Sequence, residues 1–403
     1  MRYPPRMLGL YALILGAIGV PMACAAEGNS GEVEPLPTDE SRDSSAFPPY
    51  DANGSDAIIE AGPCSASMLC PVSLPTDDEV NLTAVWGSSA TDVWAVGSGG
   101  TVLHYDGIKW EKAMLEAATP NGSTSFTLRS VWLERADDVW IADGNGIRHT
   151  TGWKGPSDTE WSFVSFPTGG CLPTSIRGIG NTIWIGRGPK PQASSCPWQV
   201  GRFEGWGDAG PNPARNVAQP FWSTWGSFSL AVSRTDEAWA SVHAVDGRPW
   251  IGAGNHVFRL SRPNDGGAPD AAPLTWQMEE YDSRTRLEMF GVWADEHAVW
   301  LAGEAGTLRR LARADLPNKR FEVVPSPVIT DINGVFGFGA DDVWAVGEGS
   351  TVLHWDGTSW SKLFTPFDDA IEKPHLRAVW GSSPADVWIV GDRTILHYQR
   401  SVP

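Results

Sequence analysis

The sequence predicts an all-β fold, namely a seven-bladed β-propeller with four-stranded antiparallel blades. Three observations predict it. A tryptophan-containing pattern recurs seven times along the chain. Its base period is near 44 residues, the length that four short strands and their turns require. In each short segment both the odd and the even positions are apolar, as in strands that are covered on both faces. No segment shows the 3.6-residue apolar period of a helix.

The repeated pattern centres on one tryptophan in each unit, as in DVWAVG at 92–97. These anchor tryptophans are Trp94, Trp140, Trp184, Trp239, Trp300, Trp344 and Trp388. They lie 46, 44, 55, 61, 44 and 44 residues apart, so the third and fourth units carry insertions. Because these tryptophans occupy the same position in every repeat, we expect them to pack between blades rather than to stack on a ligand.

Turn signals divide the first unit into its strands. The segments are 82–87, 93–97, 101–105 and 109–112, with the hairpin signal Asp106-Gly107 between the last two. The last unit ends after its third strand. We predict that a segment within Cys70–Leu74 supplies the missing outer strand and closes the ring, because closure leaves no unpaired sheet edge at the seam.

A second repeated position lies in the third strand of each unit, where a basic residue recurs. Its occupants are His104, His149, Arg202, Arg259, Arg310, His354 and His397. Seven sites on seven blades are too dispersed for one active site. We therefore expect each histidine to hydrogen-bond to a turn of its own blade. The candidate partners are the repeated aspartates Asp92, Asp138, Asp342 and Asp386.

The N-terminus has the features of an export signal. Two arginines precede an uncharged, mostly apolar stretch from Met7 to Met22, which is short for a membrane-spanning helix, and residues 1–23 are predicted to be a signal peptide. The sequence PMAC resembles a bacterial lipobox, in which Cys24 would be lipidated and become the mature N-terminus. The alternative is ordinary signal-peptidase cleavage at Ala23–Ala25.

An acidic segment follows, and the remaining cysteines lie beyond Cys24. Residues 24–63 are rich in Asp, Glu, Pro, Gly and Ser and predict a disordered tether, which leaves 64–403 for the propeller. Four further cysteines could form two disulfides in an oxidising compartment. Of the three possible connectivities, proximity favours Cys64–Cys70 with Cys171–Cys196.

The net charge limits the partners. A formal charge of −18 argues against nucleic acid and against an anionic membrane surface, so membrane contact is expected only through the lipid at Cys24. The chain lacks a cysteine–histidine cluster with zinc spacing and a phosphate- or dinucleotide-binding fingerprint. We therefore predict no metal and no cofactor, and we expect a monomer.

The repeat resembles a known group of propellers. The patterns V-W-x-V-G and G-T-x-L-H-x-D-G-x-x-W are similar to the tryptophan-rich repeats of secreted bacterial lipoproteins, especially those of myxobacteria. They are more distantly similar to BNR-type propellers and to photosystem II assembly-factor propellers. The similarity covers about residues 82–398 and implies a propeller at the cell envelope. It carries over no catalytic residue, because no site motif of those families matches.

A ligand site is expected over the irregular third and fourth units, because loops on a rigid scaffold carry function. Insertions at 164–175, 187–198, 205–224 and 242–255 are predicted to converge on one face. The candidate ligand-binding residues are Trp198, Trp206, Trp222, Trp225, Trp250, Arg187 and His243.

These features together favour an exported, lipid-anchored, non-catalytic binding or scaffold module at the cell envelope. The location would be that of an outer-membrane lipoprotein or of a periplasmic or extracellular protein, and the ligand a protein or a glycan. The alternative is a carbohydrate-active enzyme, such as a polysaccharide lyase or a glycosidase, on the same scaffold. Two close carboxylates in a cleft would favour the enzyme, and an open apolar rim would favour binding.

Overall fold

The computed structural model describes residues 69–76, 79–115, 127–143, 146–165, 171–189, 199–207, 210–211, 215–218, 227–243, 256–262 and 276–400. Within these ranges the chain forms a ring of seven four-stranded antiparallel sheets, and its helices are three short 3₁₀ segments. The predicted seven-bladed propeller is therefore confirmed. No helix in the described part of the chain has the length and apolarity needed to span a bilayer.

The blades follow one another in sequence order after a first strand, β1 (Leu69–Val72). Blade 1 contains β2 (Leu82–Ser89), β3 (Asp92–Gly97), β4 (Val102–Tyr105) and β5 (Trp110–Ala113). Blade 2 contains β6 (Ser130–Trp132), β7 (Val139–Asp143), β8 (Gly146–Thr150) and β9 (Ser162–Ser165). Blade 3 begins with β10 (Cys171–Ile179), β11 (Thr182–Pro189) and β12 (Gln199–Glu204). A separate two-stranded sheet of β13 (Trp206–Gly207) and β14 (Gly210–Pro211) comes before its outer strand β15 (Arg215–Ala218).

The second half of the ring repeats the same order. Blade 4 contains β16 (Ser227–Arg234), β17 (Glu237–His243), β18 (His256–Ser261) and β19 (Gln277–Tyr281). Blade 5 contains β20 (Met289–Ala294), β21 (Ala298–Gly303), β22 (Leu308–Ala312) and β23 (Glu322–Val324). Blade 6 contains β24 (Ile332–Gly339), β25 (Asp342–Gly347), β26 (Thr351–Trp355) and β27 (Trp360–Lys362). Blade 7 contains β28 (Leu376–Ser383), β29 (Asp386–Gly391) and β30 (Thr394–Gln399), with β1 as its outer strand.

Strand β1 closes the ring, as the sequence predicts, although it begins one residue before the predicted segment. It pairs antiparallel with β30, with Leu69 opposite Tyr398 and Val72 opposite Ile395. Leu69 is buried in the cluster that contains Trp344 and Leu396. The two ends of the propeller thus share one sheet, which covers the outer edge of β30.

The first strands of the seven blades form the innermost layer. Each of them contacts the first strand of both neighbouring blades, from β2 through β6, β10, β16, β20 and β24 to β28 and back to β2. Since strands alternate in direction, all first strands begin on one face of the ring, and the connections between blades lie on that same face. The hairpins between third and fourth strands lie on the opposite face. These two faces position every side chain discussed below.

The anchor tryptophans form the core between blades, as expected. All seven are at most 2 % exposed. Trp388 of blade 7 packs with Leu103 and Trp110 of blade 1, and Trp94 of blade 1 packs with Leu128 of blade 2. An indole buries roughly 200 Å² of largely apolar surface, which stabilises the interface by about 5 kcal/mol per residue relative to exposure.

The repeated histidines and aspartates form a hydrogen-bonded pair in four blades, which confirms the expected intrablade partner. The Nε2–Oδ1 distances are 2.9 Å for His104–Asp92, 2.8 Å for His149–Asp138, 2.9 Å for His354–Asp342 and 2.6 Å for His397–Asp386. Trp94 Nε1 also donates to Asp92, at 3.0 Å. Burial raises the pKa of Asp92, but hydrogen bonds from His104, Ser88 and Trp94 outweigh burial, so the pKa lies below its ordinary value.

The remaining blades replace this pair. Blade 4 has Glu237 and Arg259, 2.6 Å apart, and Glu237 also accepts from Trp239 and from Arg313 of blade 5. In blades 3 and 5 the aspartate position holds Thr182 and Ala298. Among the described residues, the indole N–H groups of Trp184 and Trp300 find no acceptor, and neither does that of Trp388, although Asp386 stands at its aspartate position. The repeat therefore conserves the shape of the blade more strictly than its hydrogen bonds.

Several sequence predictions fall outside the described residues. These are the signal peptide 1–23, the tether 24–63 and lipidation at Cys24. Cys70 lies in β1 and Cys171 begins β10, but Cys64 and Cys196 are not described, so both predicted disulfides stay predictions.

Candidate functional site: the axial cavity

A cavity of about 350 Å³ lies on the axis of the ring, and every blade contributes to it. Its walls come from the first residues of the first strands, so it opens on the face where those strands begin. We call this the cavity face. The volume is at the lower end of the range for ligand pockets in proteins, which is roughly 300–1,000 Å³.

β-bulges turn one side chain of most first strands toward the axis. The ladders of β2, β10, β20, β24 and β28 each skip one residue near the strand start. The skipped residues are Thr83, Thr174, Phe290, Asn333 and Arg377, and all of them line the cavity. A bulge leaves its extra residue unpaired and redirects the side chain. The wall of the cavity is thus built from backbone irregularities that recur with the repeat.

Polar groups of the wall also join neighbouring blades. Thr83 Oγ1 donates to the Leu128 carbonyl at 2.5 Å, and Asn333 Nδ2 donates to the Leu376 carbonyl at 2.8 Å. Ser229 Oγ donates to the carbonyl of Phe290. These bonds cross from blade 1 to 2, from 6 to 7 and from 4 to 5, so they hold the wall rigid before any ligand binds.

An aromatic layer closes the cavity below this wall. Trp86 of blade 1 contacts Phe336 of blade 6 edge to face, with ring centroids 5.7 Å apart, and Phe336 contacts Trp293 of blade 5 at 6.4 Å. The guanidinium of Arg177 of blade 3 lies over the Trp86 ring, 4.5 Å from its centroid. Side chains from four blades therefore meet across the axis, and of these only Arg177 lines the cavity.

Arg177 occupies a position where five other blades carry an aromatic residue and blade 4 carries Ala231. It pairs in the ladder with the anchor Trp184, as Trp86, Trp132, Trp293, Phe336 and Trp380 pair with their own anchors. Its Nη1 donates to the Ile176 carbonyl at 2.7 Å and to Ser130 Oγ at 3.1 Å. Burial lowers the pKa of Arg177 to about 10, so the side chain is still charged at neutral pH.

The charged side chains of the described cavity lining are all basic, although the protein as a whole is acidic. Its described lining contains Arg129, Arg177 and Arg377 and no Asp, Glu, His, Cys or Tyr. Arg377 pairs with Asp392 outside the lining, with Nε–Oδ1 at 2.7 Å. The lining therefore offers positive charge and neutral hydrogen-bonding groups, and it brings together no acid–base pair. In the described part of the chain, no cluster of three His, Cys, Asp or Glu residues could hold a metal ion.

Among the described residues, large apolar side chains stand exposed in two adjacent connections on the cavity face, and Met114, 66 % exposed, follows β5 in the connection from blade 1 to blade 2. Ile329 is 88 % exposed in the connection from blade 5 to blade 6. Phe364 and Ile371 are 89 % and 103 % exposed in the connection from blade 6 to blade 7. Large apolar side chains concentrated on one sector are a feature of protein-binding surfaces.

The structure describes three of the seven site residues predicted from the sequence. Trp198, Trp222, Trp225 and Trp250 are outside the described residues. Trp206 lies in β13, in the connection between third and fourth strands, so its backbone is on the face opposite the cavity face. His243 ends β17. Arg187 is 7 % exposed within blade 3, where burial lowers its pKa, and it does not line the cavity. The predicted ligand contacts of all seven stay predictions.

Sequence reasoning missed the cavity residues, although one signal was present. The segment SIRGIG of the third unit aligns with AVWGSS of the first, which puts Arg177 in a tryptophan position. A charge in an otherwise aromatic repeat position marks a departure from pure packing. The bulge residues left no comparable signal, because a bulge is decided by backbone pairing.

Comparisons with known proteins support the fold. No protein-family model matches the chain, and no curated protein matches it. A solved structure described as YCF48 bound to D1 peptide is similar at 17 % identity with a TM-score of 0.58, covering 83 % of this chain and 97 % of the other. YCF48 from Cyanidioschyzon merolae is similar at 18 % identity with a TM-score of 0.59, covering 83 % and 99 %. The resemblance to photosystem II assembly-factor propellers thus holds for the fold of the chain.

Proposed function

We propose that this chain is a non-catalytic binding module that holds a protein partner on its cavity face. The observation that carries the proposal is the combination, on one face, of a preformed cavity with three fully exposed large apolar side chains, Ile329, Phe364 and Ile371. Exposed apolar side chains are costly in water unless a partner covers them at least part of the time.

The apolar side chains favour a protein over a glycan as the ligand. Glycan sites present flat aromatic rings beside polar groups, whereas Ile329 and Ile371 are branched aliphatic side chains. The similar structure of YCF48 contains a D1 peptide, so a propeller of this fold is able to bind a peptide. The described cavity lining has no pair of carboxylates, which was the feature expected of a carbohydrate-active enzyme.

The proposal places the module at the cell envelope. Support comes from the sequence alone, namely the export signal in 1–23, the lipobox-like PMAC ending at Cys24 and the acidic segment 24–63. In this arrangement a lipid at Cys24 anchors the chain and the tether holds the propeller away from the membrane. The cysteine pairs Cys64–Cys70 and Cys171–Cys196 then form in an oxidising compartment.

A capture experiment with face-specific variants tests the function. The full chain, expressed in an exporting host, is used to capture partners from an envelope extract, and the double variant Phe364→Ser with Ile371→Ser is compared with wild type. Ile108→Ser is the matched control, because Ile108 is 86 % exposed in the hairpin after β4, on the opposite face. We expect the double variant to lose proteins that both wild type and the control retain. Equal capture by all three proteins would refute a binding role for the cavity face.

A further inference from the structure

We propose that the axial cavity binds a carboxylate group of its ligand through the guanidinium of Arg177. This inference deepens the proposed function, on which it rests, because it names the chemistry that the cavity selects. Four observations support it: the replaced aromatic position, the lack of a counter-ion, the free edge of the guanidinium and the charge of the surrounding wall.

Arg177 carries a charge where five other blades have an aromatic ring and blade 4 has Ala231. An aromatic residue in this position is compatible with the fold, since Trp86, Trp293 and Phe336 occupy it in three other blades. An arginine there places a cation at the bottom of a cavity, where desolvation of a charge is unfavourable. Packing alone therefore gives no reason for the guanidinium.

The cation has no carboxylate partner among the residues that the structure describes. Its hydrogen bonds go to the Ile176 and Val131 carbonyls and to Ser130 Oγ, all of which are neutral. The face of Trp86 is its remaining contact. A bound anion would offset the desolvation of this charge, and in a cavity of reduced dielectric the attraction exceeds that in water.

The orientation of Arg177 leaves one edge of the guanidinium available. All of its described hydrogen bonds use Nη1. The N–H groups of Nε and Nη2 remain, and these two donors point in parallel, which is the geometry that binds both oxygens of one carboxylate. Stacking on Trp86 and the bonds to Ser130 hold the plane of the group before a ligand arrives, so little conformational entropy is lost on binding.

The wall above Arg177 does not oppose an anion, because its described lining contains no acidic residue. Arg129 and Arg377 line the same cavity, and Arg377 is paired with Asp392 outside it. The protein as a whole carries a formal charge of −18, so the cavity is a local reversal of sign. A concave site lined by one sign of charge concentrates ligands of the opposite sign.

Binding of simple carboxylates to the purified full chain tests the proposal. Calorimetry at low ionic strength would use two probes, succinate and a triglutamate peptide with blocked ends, to separate a free small acid from an acidic peptide segment. Dimethyl succinate is the uncharged control ligand. We expect at least one of the acidic probes to bind and the diester not to bind. Tighter binding of the peptide would identify a peptide segment as the source of the carboxylate, and binding of succinate alone would identify a small acid.

Two variants remove the charge, and a third is the matched control. Arg177→Trp restores the residue found in other blades, and Arg177→Gln keeps a polar side chain if the larger ring disturbs the fold. Arg135→Gln removes an exposed arginine that pairs with Asp137 in the turn before β7, on the opposite face. We expect the dissociation constant to rise at least about tenfold in both Arg177 variants and to stay unchanged in Arg135→Gln.

The inference would be overturned if neither acid binds wild type, if the diester binds equally well, or if Arg177→Gln binds as wild type does. Its failure is distinguishable from failure of the proposed function. Capture that depends on Phe364 and Ile371 without any carboxylate binding would overturn the carboxylate site alone. Carboxylate binding without face-dependent capture would overturn the proposed protein-binding role alone.

Discussion

Replacing His104 by alanine tests whether the histidine–aspartate pairs stabilise the blades. The His104 side chain is 5 % exposed and lies 2.9 Å from Asp92 through Nε2. Its ring also stacks on Trp153, with centroids 4.5 Å apart. A hydrogen bond to a charged group contributes about 1.5–3 kcal/mol, and truncating a buried ring adds about 1 kcal/mol for the cavity it leaves. We expect His104→Ala to lower the free energy of unfolding by about 3 kcal/mol.

A second histidine calibrates this magnitude. His354 makes the same bond to Asp342, at 2.9 Å, but its side chain is 30 % exposed. Water can replace part of that interaction, so we expect His354→Ala to cost about 1 kcal/mol. His297→Ala is the control, because His297 is 51 % exposed and lies outside the repeated position.

The assay is thermal and urea unfolding of the purified proteins at neutral pH, with capture of the partner measured in parallel. Each kcal/mol should lower Tm by about 2 °C in a domain of this size. The order of the loss should be His104→Ala, then His354→Ala, then the control, with capture unchanged at a temperature where all are folded. A loss in His104→Ala no larger than in His354→Ala would refute the burial argument, and lost capture in the folded variants would refute a purely structural role.

Three further predictions concern pH, packing and closure. Burial raises the pKa of Glu237, but the charge of Arg313 and the hydrogen bonds that Glu237 accepts from Arg313, Trp239 and Arg259 outweigh burial. The folded pKa therefore lies below the ordinary value. The Glu237 carboxylate therefore stabilises the fold when the pH is above that ordinary pKa. Urea titrations should show wild type more stable than Glu237→Gln by about 3 kcal/mol at neutral pH, and this difference should shrink as pH falls through the folded pKa. A difference that grows on acidification would contradict the argument. Gly178→Ala should cost about 2 kcal/mol in unfolding experiments, because its Cβ would lie 2.6 Å from the Trp132 ring, whereas Gly339→Ala, with 3.9 Å to its nearest atom, should be close to neutral. Deleting the chain through Val72 removes β1, and light scattering should then show association through the exposed edge of β30; a stable monomer with unchanged Tm would refute the role of closure.

The sequence was sufficient to predict the blades because their packing repeats. Trp94 and its equivalents recur at one position, and a large side chain repeated at a fixed spacing leaves few alternatives to identical stacked units. The closing strand could be predicted for a related reason. The last unit lacks an outer strand, and the apolar segment containing Leu69 and Cys70 precedes the first unit.

The cavity could not be predicted in the same way. Its wall depends on which residue of each first strand is left out of the ladder, and Thr83, Phe290 and Arg377 share no side-chain property that would indicate a bulge. The sequence did not indicate the two-stranded sheet that contains Trp206, because a sheet of only four residues has almost no sequence signal. Arg187 was expected near a surface loop, yet β11 extends to Pro189 and keeps its side chain buried.

At the axis of a propeller, equivalent positions of different blades face one another. Elsewhere in the core, a side chain faces one adjacent blade. A tryptophan between two blades is constrained by both of them, for example Trp388, which packs with Leu103 and Trp110 of blade 1. Side chains that reach the axis must only fit together in the space at the centre, which could not hold seven identical large rings. Some of them must differ, and the fold does not dictate how. Arg177 is one such difference, and because a nonpolar residue would have satisfied packing at lower desolvation cost, its charge is what we expect if the cavity selects an anionic ligand.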